Sequence, residues 1–283
     1  MFSLKLENEF GKIKDINDGR SYLVVDATGF NPPAASHYTS KSYNRHGVKY
    51  NGYSIDERTI TIVIKLLGDV EQNRIDLYDW TESGQYVKVH YSNGIRDVYC
   101  EGHIVNPDVN FFTEDEQVEL EIMCDDPYFK TMDTIITEIT NVIGNFYLTE
   151  DENDIYFATT DEGIAFSEEL DKNETTIHNK GSETGVIIRA VALEDVSGLT
   201  IYNADNPSRE YIKLKETLLK GQELLIDTTG HRYRIEINGV NSLSKVDRHI
   251  TWFKLKRGNN SFYCEPSHNI KLTVEYNERY LGV

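Results

Sequence analysis

Long apolar runs are absent. Nothing in the 283 residues approaches the roughly 20 consecutive apolar residues that a helix needs to cross a bilayer. The first 18 residues are interrupted by Lys5, Glu7, Glu9, Lys12 and Lys14, which excludes a signal-peptide core of the usual kind. Cysteine is scarce. Cys100, Cys124 and Cys264 are too few, and odd in number, for a disulfide framework, and they fit synthesis in a reducing cytoplasm. The common catalytic motifs are missing as well: there is no Gly-x-Gly-x-x-Gly, Walker loop, His-Glu-x-x-His or Gly-x-Ser-x-Gly. The eight histidines make no close ligand pair with one another or with cysteine. Glu101 and His103 share a strand face, which reads as solvated surface. No catalytic residue, cofactor or metal is therefore expected.

Positive charge is also in short supply. The chain has 29 Lys and Arg against 47 Asp and Glu, for a net charge of -18. Such a chain lacks the cations that bind nucleic acid without sequence preference or that hold a protein on an anionic membrane. The charge is uneven: residues 1–130 carry -9, residues 131–179 carry -11, and residues 180–283 carry +2. This pattern predicts two folded regions, 1–130 and 180–283, joined by an acidic connecting segment, 131–179. The acidic runs Glu114-Asp115-Glu116 and Glu150-Asp151-Glu152-Asn153-Asp154 lack the spacing of a calcium loop and read as solvated surface.

Tyrosine is plentiful, at 18 residues, and suits β-structure and contact surfaces. Alternation predicts strands at Arg58–Leu67, Tyr86–Val89, Arg96–Val105 and Val118–Cys124. Asn93-Gly94 is a hairpin signal. Asp69 followed by Gln72 predicts a helix from Val70 to about Trp80. Cys100 and Cys124 fall on inward positions and read as buried apolar residues. The second region shows many short strands separated by turn signals such as Asn238-Gly239, which argues for an antiparallel sandwich or barrel. Within the first region, ahead of Arg58, Ala34 to Tyr53 is a long polar stretch without clear period, rich in tyrosine. A loop of that length is usually functional or disordered. Tyr38, Tyr43, Tyr50 and Tyr53 are its candidate contact residues, because rigid aromatics bury area at low entropy cost.

Five segments then form a recognisable series: Gly29-Phe30-Asn31-Pro32-Pro33; Glu57-Arg58-Thr59-Ile60-Thr61-Ile62 with Gly68 and Asn73-Arg74; Cys124-Asp125-Asp126-Pro127-Tyr128-Phe129; Asn179-Lys180-Gly181-Ser182-Glu183-Thr184-Gly185; and Tyr276-Asn277-Glu278-Arg279-Tyr280-Leu281-Gly282-Val283. In this order they resemble the distal tail protein family, Dit, of long-tailed phages. The resemblance implies a mainly β chain: an N-terminal β-sandwich with one helix and an extended arm or loop, then a C-terminal galectin-like antiparallel β-sandwich. It leaves two courses for the last strand, which stays with the second sandwich or returns to the first domain.

The resemblance implies a structural protein of the virion tail tip, made in the host bacterial cytoplasm. Its partners would be five further copies in a hexameric ring, the tail tube protein, the hub or tail fibre protein, and the tape measure protein. No stable nucleic-acid or membrane contact is implied. The alternative is a carbohydrate-binding module for host glycans. Neither galectin sugar-binding strand is present, so the one candidate for stacking on a sugar is Trp252, which reads more readily as core.

Overall fold

Alternation sets the strands of the first region. In Arg58–Leu66, the residues Ile60, Ile62, Ile64 and Leu66 are buried, while the intervening ones face outward. In Gln117–Cys124 the buried set is Val118, Leu120, Ile122 and Cys124. Each such Ile or Leu contributes roughly 1.5–3 kcal/mol on burial. The structure, a computed structural model, describes residues 2–44, 46–109, 116–139, 174–205, 210–230 and 232–283, and the backbone of six short strands between Val142 and Glu169. The acidic runs 114–115 and 150–154 lie outside the described residues. The chain divides into two units, residues 1–132 with 279–283, and residues 133–278.

Unit 1 contains β1 (Ser3–Asn8), β2 (Ile13–Asp15), β3 (Tyr22–Thr28), β4 (Ala35–Ser40), β5 (Lys49–Ile55), β6 (Arg58–Leu66), α1 (Val70–Tyr78), β7 (Tyr86–Ser92), β8 (Asp97–Val109), β9 (Gln117–Cys124) and β10 (Phe129–Thr131). The main sheet runs β2-β1-β7-β8-β9-β6-β3, and β10 pairs with β8. The Asp69 carboxylate caps α1 by accepting the Gln72 N–H at 3.2 Å. The β7–β8 turn closes through the Asn93 side chain, which accepts the N–H groups of Ile95 and Arg96. Strands β4 and β5 pair only with each other. The polar stretch read as a loop is therefore a two-stranded ribbon. Both of its faces are largely exposed, so it has no apolar alternation that could announce its strands.

Arg58 stands at an inward position of β6 and is only 2% exposed. Its guanidinium donates to backbone carbonyls alone: Pro127 at 2.8 Å, Asn31 at 2.9 Å, Gly29 and Leu281. It also lies 4.5 Å from the centre of the Phe129 ring. Burial pulls its pKa below the ordinary arginine value, yet a group this basic stays charged. The partners fit closely. Gly29 has φ +88°, and a Cβ there would collide with the Thr59 carbonyl, so no other residue is tolerated without a shift. Phe30 stacks on Phe129 with centroids 5.7 Å apart. The last strand of the chain, Arg279–Tyr280, pairs with β10. Arg96 donates to the Gly282 carbonyl at 2.8 Å and covers the Tyr280 ring, and Arg279 bonds Asp126 while lying over Tyr128.

Unit 2 opens with β11 (Ile135–Ile139). Six short strands follow and pair two by two: β12 (Val142–Gly144) with β17 (Ser167–Glu169), β13 (Phe146–Leu148) with β14 (Ile155–Phe157), and β15 (Thr159–Thr160) with β16 (Gly163–Ile164). Then come β18 (Thr175–Asn179), β19 (Thr184–Gly185), β20 (Ile187–Ala192), β21 (Thr200–Asn203), β22 (Tyr211–Lys213), β23 (Glu223–Asp227), β24 (Arg234–Ile237), β25 (Val240–Asn241), β26 (Lys254–Leu255), β27 (Gly258–Glu265) and β28 (Ile270–Tyr276). Two sheets, β11-β28-β20-β23-β24-β25 and β18-β27-β21-β22, share one core that includes Ile188, Ile226, Leu272, Ile201 and Phe262. The Asn238-Gly239 signal falls where expected, on the β24–β25 turn. Asn179 is fully buried. Its amide donates to the carbonyls of Ser182 at 2.9 Å and Leu255 at 3.2 Å, and its oxygen accepts the Gly181 N–H at 3.0 Å.

Residues 131–179 are thus more than an acidic connection. Their two ends, β11 and β18, are strands of the two unit 2 sheets. We therefore expect an autonomous C-terminal fragment to need residues 133–278 rather than 180–275. Circular dichroism of the 133–278 fragment is expected to show β-structure that melts cooperatively. Removing β11 and β18 uncovers Leu272 and Phe262, so the 180–275 fragment should melt at lower temperature or not cooperatively at all.

Arg58→Ala leaves four carbonyls without their donor in a partly buried setting, where each orphaned group costs up to about 1–3 kcal/mol. The expected loss, after relaxation, is about 3–5 kcal/mol of unit 1 stability. Arg58→Lys should restore little of it, because an ammonium lacks the planar fork. Denaturant melts of both variants test this, and a loss below about 1 kcal/mol for Arg58→Ala would contradict the assigned role.

Candidate assembly surface

The ribbon owes its chemistry to one extra residue. The pairing runs Ala35↔Ile55, Ser36↔Ser54, His37↔Tyr53 and Tyr38↔Gly52, then shifts to Thr39↔Tyr50 and Ser40↔Lys49. Asn51 is the bulged residue. Without the bulge, Tyr50 and Tyr53 would point to opposite faces. With it, both stand beside His37, whose ring lies 5.9 Å from Tyr50 and 6.4 Å from Tyr53. Tyr38 occupies the other face, with its hydroxyl 2.8 Å from the Ser54 hydroxyl. Tyr43 is at the tip.

These four tyrosines are the ones singled out in the sequence, and all are exposed, from 56% at Tyr38 to complete exposure at Tyr43. An isolated two-stranded ribbon is marginal in water, and its unpaired edges invite a partner strand or surface. Its aromatic area gains most when something covers it.

Charge was the signal overlooked in this stretch. From Ala27 to Ile55 there is no Asp or Glu, while Lys41, Arg45 and Lys49 are present. The ribbon therefore carries +3. With -18 for the whole chain, -21 is left elsewhere. Arg45 lies outside the described residues. Lys41 and Lys49 are exposed and make no ion pair among the described residues.

The main sheet presents the opposite charge. Asp108 of β8 stands directly across from Glu119 of β9. Glu119 faces Val63, and Val63 faces Asp26 of β3. Glu121 heads the adjoining row opposite Asn106. All four acids are exposed, and none forms an ion pair among the described residues. Like charges directly opposite each other in a sheet cost stability.

The other candidates are spoken for. Glu101 is not solvated surface, as its pairing with His103 suggested. It is half-buried, and its oxygens accept from Lys130 at 2.7 Å and Tyr86 at 2.9 Å. Burial opposes its charge, but these two hydrogen bonds hold its pKa below the usual value. Cys100, Cys124 and Cys264 are buried thiols outside any disulfide. The hydrogen bond to Cys100, with burial, keeps Cys124 protonated. Trp252 packs half-buried against the unit 2 core, with Tyr233 5.1 Å away. Among the described residues no group of three His, Cys, Asp or Glu side chains is placed to hold a metal ion, and no helix is long and apolar enough to cross a membrane.

Comparison with known proteins follows the same lines. Residues 181–280 match the family described as siphovirus-type tail component, C-terminal domain. No curated protein sequence matches the chain. Among solved structures, SPP1 Dit (gp 19.1), described as a paradigm of the hub adsorption apparatus in phages infecting Gram-positive bacteria, superposes over 99% of this chain and 99% of its own, with TM-score 0.70 at 15% identity. Chains of the phage P2 baseplate in its activated conformation, with Ca and with Sr, match over the full length of both chains at 12% identity, with TM-scores of 0.52 and 0.51. Residues 181–280 thus match the siphovirus-type tail component C-terminal domain, and along its whole length the chain has the mainly β fold of SPP1 Dit.

Proposed function

We propose that the protein is a structural adaptor of a phage tail tip, in a phage, a prophage or a tail-like particle. Six copies form a ring that joins the tail tube to the hub or tail fibre protein, with the tape measure protein as a further contact. The observation that carries this is the full-length fold match to a hub protein, taken together with the exposed aromatic ribbon. The role is one of assembly rather than catalysis. A ring of identical chains closes through a heterologous contact, in which one patch meets a different patch on the next copy. The ribbon supplies one of those patches by crossing onto its neighbour, where Tyr38, Tyr43, Tyr50 and Tyr53 become buried.

Six chains of 32.5 kDa make a ring of 195 kDa. Native mass spectrometry across a range of concentrations should show that species. Deleting residues 36–52 should abolish it, and an unchanged hexamer would refute the ribbon's role.

The bore of such a ring should be negative. Duplex DNA carries a negative charge every ~1.7 Å of its axis, so a basic lining would hold a passing genome while an acidic one lets it slip. The -9 carried by residues 1–130 favours the acidic lining. A potential map of the assembled ring tests this, as does a duplex-binding titration at about 0.15 M salt. Measurable duplex binding, or a bore lined by Lys and Arg, would contradict it.

A further inference from the structure

The ribbon and the main sheet of unit 1 are complementary in charge. The cations of the ribbon lie close in sequence, with Lys41, Arg45 and Lys49 within nine residues; of these, Lys41 and Lys49 are exposed at the tip, as are Tyr43 and Val48. On the sheet, Asp26, Glu119 and Asp108 fall in one row that crosses β3, β6, β9 and β8, with Val63 as its β6 member, and Glu121 lies in the adjoining row. Among the described residues, Lys41, Lys49 and the four acids make no ion pair. The direct opposition of Asp108 and Glu119 costs stability, and a cation seated between them would reverse that cost. An acidic row alone would say nothing about its partner. A cationic, aromatic ribbon left uncovered on the same molecule identifies one, because every copy carries both halves.

We propose that the cationic tip of one copy docks on the acidic sheet face of the next, so that ring closure is electrostatic as well as aromatic. This rests on the ring assembly proposed above and names its two surfaces. Tip and row are different patches, so the contact is head-to-tail, the kind that generates rings rather than two-fold dimers. Complementary charge sets register and speeds encounter more than it adds affinity, whereas like charges brought face to face cost several kcal/mol. Charge reversal on one side should therefore be far more damaging than neutralisation, and reversal on both sides should restore the contact.

The test is sedimentation velocity on the full chain, in four forms: wild type, Lys41→Glu with Lys49→Glu, Glu119→Lys with Glu121→Lys, and the four changes combined. All these side chains are exposed, and thermal melts check that each variant folds. Each double variant is expected to weaken self-association by about tenfold or more, the combined form should recover most of the wild-type value, and wild-type association should fall between about 0.15 M and 1 M salt as screening shortens. If wild type assembles and the double variants assemble equally well, the charge contact is wrong while the ring stands. If both double variants weaken but the combination does not recover, tip and row are not partners. If wild type stays monomeric at every concentration, the ring itself fails. Binding of the wild-type tip to duplex DNA in a gel-shift assay, lost in Lys41→Glu with Lys49→Glu, would overturn the assignment in favour of a nucleic-acid contact.

Discussion

A guanidinium cannot shed its charge, and in unit 1 one of them is buried without a carboxylate bonded to it. Arg58 must be satisfied by backbone carbonyls, and those come from Gly29, Asn31, Pro127 and Leu281. The segments that supply them are far apart in sequence, so the charge can be satisfied only when the turn after β3, the segment after β9 and the last residues of the chain arrive together. The neighbouring requirements follow. Gly29 must lack a side chain to lie against Thr59. Phe129 provides a ring for the guanidinium and a stacking surface for Phe30. Arg96 and Arg279 hold the returning end through Gly282 and Asp126.

This cluster explains why the sequence carried a recognisable signature. Four of the five segments that resemble the Dit family meet at Arg58, and the fifth surrounds the buried amide of Asn179, which satisfies the turn between β18 and β19. These are positions where few side chains will do. The resemblance read from the sequence falls on these positions, while overall identity to SPP1 Dit is 15%. Elsewhere any apolar residue of suitable size at an inward position serves equally well.

The strands of the main sheet were legible because one face of each is buried and the other is not, as in Ile60, Ile62, Ile64 and Leu66 of β6. The α1 cap at Asp69 and the turns at Asn93-Gly94 and Asn238-Gly239 were legible because each depends on a side chain or backbone angle that few residues supply. The ribbon's strands were not, since a strand that buries nothing in its own chain has no periodicity to read. Its tyrosines were visible, but their grouping was not: a single bulge at Asn51 decides that Tyr50 and Tyr53 share a face with His37. The ends of the 131–179 segment were hidden for a different reason. Its net charge of -11 masks Ile135–Ile139, an edge strand that is part of a sheet only through its pairing with the distant β28.

Both features left unexplained by the interior of the chain, the uncovered ribbon and the unneutralised acidic row, lie on the surface of unit 1, and both find a use in a repeating assembly. The central claim is that this surface is completed by another copy. Electron cryomicroscopy of the purified full-length protein tests it most directly. The account predicts six-membered rings in which density for residues 35–55 of each protomer lies against the sheet of its neighbour. Single particles of one chain, or rings in which every ribbon projects into solvent, would contradict it.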